Sequence, residues 1–95
     1  MLFSAGRLQA IMYVEFLGIP RERVGISEVL LDARTLGQAL QTLAARFPAF
    51  SDLITVDRLH PSLAASLNGD AFVTDPRTPL ADHDRLLILS ADVGG

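Results

Sequence analysis

The run Leu86-Leu87-Ile88-Leu89 sets the tightest limit on how this 95-residue chain can fold. Four consecutive large aliphatic residues show no alternation, so a strand over Arg85–Ser90 is apolar on both faces. Such a strand suits the middle of a sheet, with one face on a helix. The other face needs a cover, which a partner can supply.

The chain then closes with Ser90-Ala91-Asp92-Val93-Gly94-Gly95. Six extended residues reach at most roughly 20 Å, enough to carry a terminal carboxylate into another protein's pocket. Glycine lets a backbone pass where nothing bulkier fits. The plain alternative is a frayed end, since two terminal glycines arise by chance in roughly one chain in 200. The pair gains meaning only from a domain built to present it.

The length allows one domain with a single core. No apolar stretch approaches the roughly 20 residues of a membrane span. Residues 1–11 show neither the continuous apolar region nor the cleavage pattern of a signal peptide, so a cytoplasmic location is expected. Met12 is an alternative start, which makes 1–11 an N-terminal extension outside the ordered domain, 12–95. The net charge is −3, and the eight basic residues are all arginines, scattered along the chain. Nucleic-acid binding asks for a concentrated basic face, which is missing. With neither cysteine nor lysine, disulfides, thiolate nucleophiles, cysteine-ligated zinc and Schiff bases are excluded. A sulfur or acyl group must then ride on something other than a thiol, and the terminal carboxylate is one of the few handles left.

In chain order, Met12-Tyr13-Val14-Glu15-Phe16 alternates as a strand. Gly18, Pro20 and Arg21-Glu22-Arg23 break it, and Ser27-Glu28-Val29-Leu30-Leu31 returns as a second strand across a loose hairpin loop. Thr35 stands three residues before Gln38, the spacing of a capping box. Leu36, Ala39, Leu40, Leu43, Ala44 and Phe47 then form one apolar stripe on a helix that Pro48 stops. Gly37 costs that helix up to about 1 kcal/mol relative to alanine. Phe50, Leu53, Ile54 and Val56 suit a short helical turn closing the end of the core. Leu63-Ala64-Ala65-Ser66-Leu67 reads as a strand, Asn68-Gly69 as a two-residue type I′ turn, and Asp70-Ala71-Phe72-Val73 as the return strand. Leu80 is an isolated apolar anchor. His60, beside Pro61, has no second metal ligand at useful spacing, and Asp82-His83-Asp84 lacks the rest of any calcium or zinc pattern, so no metal site is read. The order is strand, strand, helix, strand, strand, strand, with the first and last strands parallel at the centre. This is an α+β arrangement, a mixed four- to five-stranded sheet packed against one main helix.

These pieces resemble the β-grasp, ubiquitin-like fold, and specifically the MoaD/ThiS family of sulfur carriers, closer to MoaD. The matching residues are Val14-Glu15-Phe16-Leu17-Gly18 with Arg21-Glu22 and Gly25, then Thr35-Leu36, Leu43 with Arg46-Phe47-Pro48, Leu67-Asn68-Gly69, Pro79-Leu80 with Asp82-His83-Asp84, and Gly94-Gly95. His83 stands where the family usually has glycine, at a position that asks for a left-handed backbone.

The resemblance implies a mechanism. A MoeB- or ThiF-like enzyme would use ATP to adenylate the Gly95 carboxylate, and a cysteine desulfurase or rhodanese-type donor would convert it to a thiocarboxylate. In a MoaD-like protein the sulfur passes to a molybdopterin precursor held by a MoaE-like large subunit. Gly95 is the reacting residue; Val93, Gly94 and Gly95 enter the partner's active site; Leu87, Leu89 and Phe72 are candidate interface residues. The chain would not be catalytic alone and would hold no permanent cofactor. Three other readings stay open: a ThiS-like carrier for thiazole or another sulfur pathway, a ubiquitin-like modifier joined through Gly95, and a β-grasp interaction module with an inert tail.

Overall fold

The computed structural model describes residues 10–55 and 57–91. It contains β1 (Ile11–Phe16), α1 (Ile19–Val24), β2 (Glu28–Asp32), α2 (Leu36–Arg46), a 3-10 turn (Pro48–Leu53), β3 (Ile54–Thr55), β4 (Arg58–Leu59), β5 (Leu63–Leu67), β6 (Ala71–Phe72) and β7 (Arg85–Ser90). Five strands form one mixed sheet in the order β2-β1-β7-β5-β6, and β3-β4 make a separate hairpin. β7 is central and runs parallel to β1, from Tyr13↔Arg85 to Phe16↔Ile88, as its two-sided apolar character requires. β1 begins at Ile11, and Ala10 is already buried with its N–H donating to Asp32 Oδ1 at 3.1 Å. Val56 lies outside the described residues.

α2 covers one face of the sheet. Thr35 Oγ1 accepts the Gln38 N–H at 3.2 Å, while Gln38 Oε1 accepts the Arg34 N–H at 2.9 Å. The capping box therefore reaches back one residue beyond its cap. Leu36, Ala39, Leu40 and Leu43 bury the stripe against Met12, Val14, Phe16, Leu86 and Ile88. Phe16 meets Phe47 and Phe50 edge to face, with centroids 6.2 and 6.1 Å apart. Phe50, Leu53 and Ile54 close the end of this core from the 3-10 turn and β3. Leu80 is buried, and its N–H donates to Arg34 O at 2.8 Å, anchoring the long connection before β7. Gly37 has a packing reason: a Cβ there would lie 3.1 Å from Pro76 Cβ and 3.2 Å from Pro76 O, which already accepts the Gly37 N–H.

Two sequence expectations change. The β1–β2 connection is a helix, α1, and not a loose loop. Pro20 sits in its first turn and Gly25 caps its end, so residues that interrupt a strand here frame a six-residue helix. Arg23 ties α1 to the 3-10 turn through Ala49 O at 3.1 Å and Asp52 Oδ1 at 2.9 Å. The β5–β6 turn has three residues, since Leu67 pairs with Ala71 and Ser66 with Phe72. Asn68 and Gly69 both adopt positive φ, 56° and 71°, but Asn68 also extends the β5–β7 ladder. Its N–H donates to Arg85 O at 2.7 Å, its Oδ1 accepts the Arg85 N–H at 2.8 Å, and its Nδ2 donates to Asp84 Oδ1 at 3.0 Å. The extra residue flips β6: a two-residue turn would place Phe72 opposite core-facing Ala65, whereas here it stands opposite Ser66 on the other face.

Candidate functional site: the open sheet face and the exit of β7

The sheet face away from α2 has no cover among the described residues. Along β7, Leu86 and Ile88 are buried while Leu87 and Leu89 are half-buried on this open face. Their neighbours there are Glu15 and Ser66, opposite Leu87, and Ala64, opposite Leu89. Leu30 on β2 is 50% exposed and Phe72 on β6 is 70% exposed. The three candidate interface residues, Leu87, Leu89 and Phe72, thus share one face.

The far end of that face is polar. Arg85 donates to Glu28 Oε2 at 2.8 Å, lies 3.5 Å from Glu15 Oε2, and stacks its guanidinium 4.5 Å above the Tyr13 ring. The hydrogen bond to Glu28 raises the Arg85 pKa further, so this charge is permanent. Sequence reasoning missed this cluster, because its members meet only through the β2-β1-β7 register.

The exit of β7 lies between two loops. Leu17 donates its N–H to Ile88 O at 3.0 Å on one side, and Ala91 donates its N–H to Ser62 O at 2.7 Å on the other. Ser90 is buried, and its Oγ accepts the Ile19 N–H at 3.5 Å, the outer limit of a hydrogen bond. Gly18 adopts φ 66°, and a Cβ there would lie 3.0 Å from Ser90 Oγ. Only glycine lets the β1–α1 loop press this closely on the strand end. Leu17 and Ile19, each 48% exposed, flank this exit as apolar side chains that sequence reasoning did not single out. Val93, Gly94 and Gly95 lie outside the described residues.

His83 adopts φ 70°, the left-handed backbone that its position asks for. Both carboxylates of the turn accept backbone amides: Asp82 Oδ1 accepts the Ile11 N–H of β1 at 3.0 Å and Asp84 Oδ2 accepts the Ala81 N–H at 2.8 Å. No group of three or more His, Asp or Glu side chains is placed to hold a metal among the described residues. No described helix is long and apolar enough to cross a membrane. The open sheet face carries exposed and half-buried apolar side chains and runs to the exit of β7.

The profile of the ThiS family matches residues 14–95. Comparison with curated protein sequences finds no match. Among solved structures, small archaeal modifier protein 1 from Methanosarcina acetivorans is 25% identical, with a TM-score of 0.75 over 92% of this chain and 98% of the other. The Amycolatopsis orientalis BexX/CysO complex contains a chain 24% identical, with a TM-score of 0.72 over 88% and 99%. The complex of subunits 1 and 2 of the Helicobacter pylori molybdopterin-converting factor contains one 21% identical, with a TM-score of 0.63 over 90% and 99%. With the family profile covering most of its length, the chain belongs to the ThiS family, the ubiquitin-like sulfur carriers of the ThiS/MoaD type.

Proposed function

We propose that this chain carries sulfur on its own C-terminus, as the small subunit of a molybdopterin synthase-type complex. One observation carries the reading: the family match runs through Gly94-Gly95, separated by three residues from the end of the central strand β7. In the first step the Gly95 carboxylate attacks the α-phosphorus of ATP, and pyrophosphate leaves. The resulting acyl-adenylate is open to the terminal sulfur of the donor's cysteine persulfide, which displaces AMP to form an acyl disulfide. A thiol then attacks the donor's cysteine sulfur, so that the thiocarboxylate leaves and the donor ends in a disulfide with that thiol. A MoeB/ThiF-like enzyme supplies the ATP site, and a cysteine desulfurase or rhodanese-type protein supplies the sulfur. A MoaE-like large subunit supplies the acid–base groups that pass the sulfur on. The carrier itself contributes the acyl group and the docking face. Val93, Gly94 and Gly95 enter the partner's active site, while Leu87, Leu89 and Phe72 bind its outer surface.

The fold shared with the molybdopterin-converting factor complex and with the BexX/CysO complex supports a role inside a two-protein assembly. Co-purification with a MoaE-like subunit tests the molybdopterin assignment. A stable pair is expected; partnership only with a thiazole-forming enzyme would move the chain to a ThiS-like pathway. Addition of one residue after Gly95 should abolish sulfur transfer with folding intact, and full transfer by that variant would refute the mechanism. The likeness to a small archaeal modifier protein favours a second reading, attachment through Gly95 to amines of other proteins. Covalent adducts in place of thiocarboxylate would select it.

A further inference from the structure

A second apolar feature lies off the open face. Between α2, β4 and β5 is a recess of about 280 Å³. Leu36, Leu40, Leu59, Leu63, Ala65 and Val73 give it an apolar lining. It exists because the β5–β6 ladder covers only Ser66 and Leu67. Beyond Val73, whose N–H still donates to Ala65 O, the chain leaves the β5 edge without covering Leu63. The volume falls just below the roughly 300–1,000 Å³ of small-molecule sites, and suits one or two side chains.

The polar rim is one-sided. Among the described residues, Arg58 and His60 are the only ionisable ones lining the recess and no carboxylate does, on a chain of net charge −3. The Arg58 side chain is exposed and makes no hydrogen bond or ion pair among the described residues. The nearby carboxylate, Asp75, already accepts from the Arg77 N–H at 2.9 Å and faces the Arg77 guanidinium at 3.4 Å. Those bonds dominate the lowering of its pKa, and Arg58 contributes least. His60 Nδ1 accepts the Ser62 N–H at 3.0 Å and lies 2.9 Å from Ser62 Oγ, so Nε2 is the ring nitrogen left to donate outward. Both rim residues therefore present N–H donors.

We propose that this recess docks a peptide segment of a partner protein in which an apolar side chain stands between carboxylates. The apolar side chain fills the pocket, and a carboxylate meets the Arg58 guanidinium and the His60 Nε2–H. Leu63 and Ala65 line the recess from the core side of β5, whereas Leu87, Leu89 and Phe72 stand on the opposite face of the sheet. A partner seated here leaves Leu87, Leu89 and Phe72 uncovered, so a second protein can bind the open face at the same time. The inference is independent of any chemistry at Gly95.

The test titrates the isotope-labelled full chain with an acetylated, amidated peptide of alternating glutamate and leucine, followed by amide chemical shifts. Saturable shifts are expected at Arg58, Leu59, Leu63, Ala65 and Val73, with a Kd of about 1 mM or below. Arg58→Glu, and separately a lysine-for-glutamate peptide on the unaltered chain, should each weaken binding by about tenfold or more. Leu87→Arg should bind as the wild type does. The proposal is overturned by shifts that map to Leu30, Phe72 and Leu87, by the absence of saturation at several millimolar, or by equal binding of the charge-reversed peptide.

Discussion

On β7, Leu86 and Ile88 are buried, while Leu87 and Leu89, one residue along, are only half covered. All four are large aliphatic residues in one unbroken run, so hydrophobicity alone does not separate them. The difference is what each face meets. The first pair packs under Leu36, Leu40 and Leu43 of α2. The second pair looks out beside Leu30 and Phe72, with the Arg85–Glu28 pair at the far end. One face of the sheet is a core, held by helix packing. The other keeps exposed and half-buried apolar surface, which the proposed function assigns to a partner.

Substitutions should divide along the same line. The largest stability loss is expected on the helix side: Leu43→Ala opens a cavity in a fully buried position and should cost about 2–5 kcal/mol in urea denaturation. Asn68→Ala removes the two side-chain hydrogen bonds that join the β5–β6 turn to Asp84 and Arg85, and about 1–3 kcal/mol should go with them. Gly37→Ala pits helix propensity, which favours alanine by about 1 kcal/mol, against the contact with Pro76. Because Pro76 O is held by the Gly37 N–H itself, the structure predicts no gain or a net loss. A gain of the full propensity difference would show that the Pro76 segment yields freely. On the open face, Leu87→Arg should cost less than about 1 kcal/mol, yet lower affinity for the large-subunit partner by at least about tenfold. Phe72→Ser, at a side chain 70% exposed, should shift stability by no more than about 0.5 kcal/mol. Large destabilisation by either open-face variant would break the division.

How much of this was legible in the sequence depended on whether the signal was local. α2 announced itself through Thr35, Gln38 and a stripe at spacings of three and four. The central strand was legible because Leu86-Leu87-Ile88-Leu89 is too apolar for an edge. α1 was not, since six residues are too few to show a period and Pro20 and Gly25 serve equally as breakers and as helix ends. The face taken by Phe72 turned on one residue of register, which Asn68 sets through bonds to Asp84 and Arg85, sixteen and seventeen positions away. The Arg85–Glu28 contact spans fifty-seven positions and has no local trace. The recess at Arg58 and His60 arises from a ladder that stops early, which no spacing foretells. The Gly95 assignment is of another kind, since it rests on the family match.

That assignment is tested most directly by the intact mass of the chain after incubation with ATP, a MoeB/ThiF-like activating enzyme and a sulfur donor. The account predicts an ATP-dependent gain equal to the exchange of one oxygen for one sulfur, localised to Gly95 by fragmentation. An unchanged mass with enzymes that thiolate a known carrier under the same conditions would contradict it.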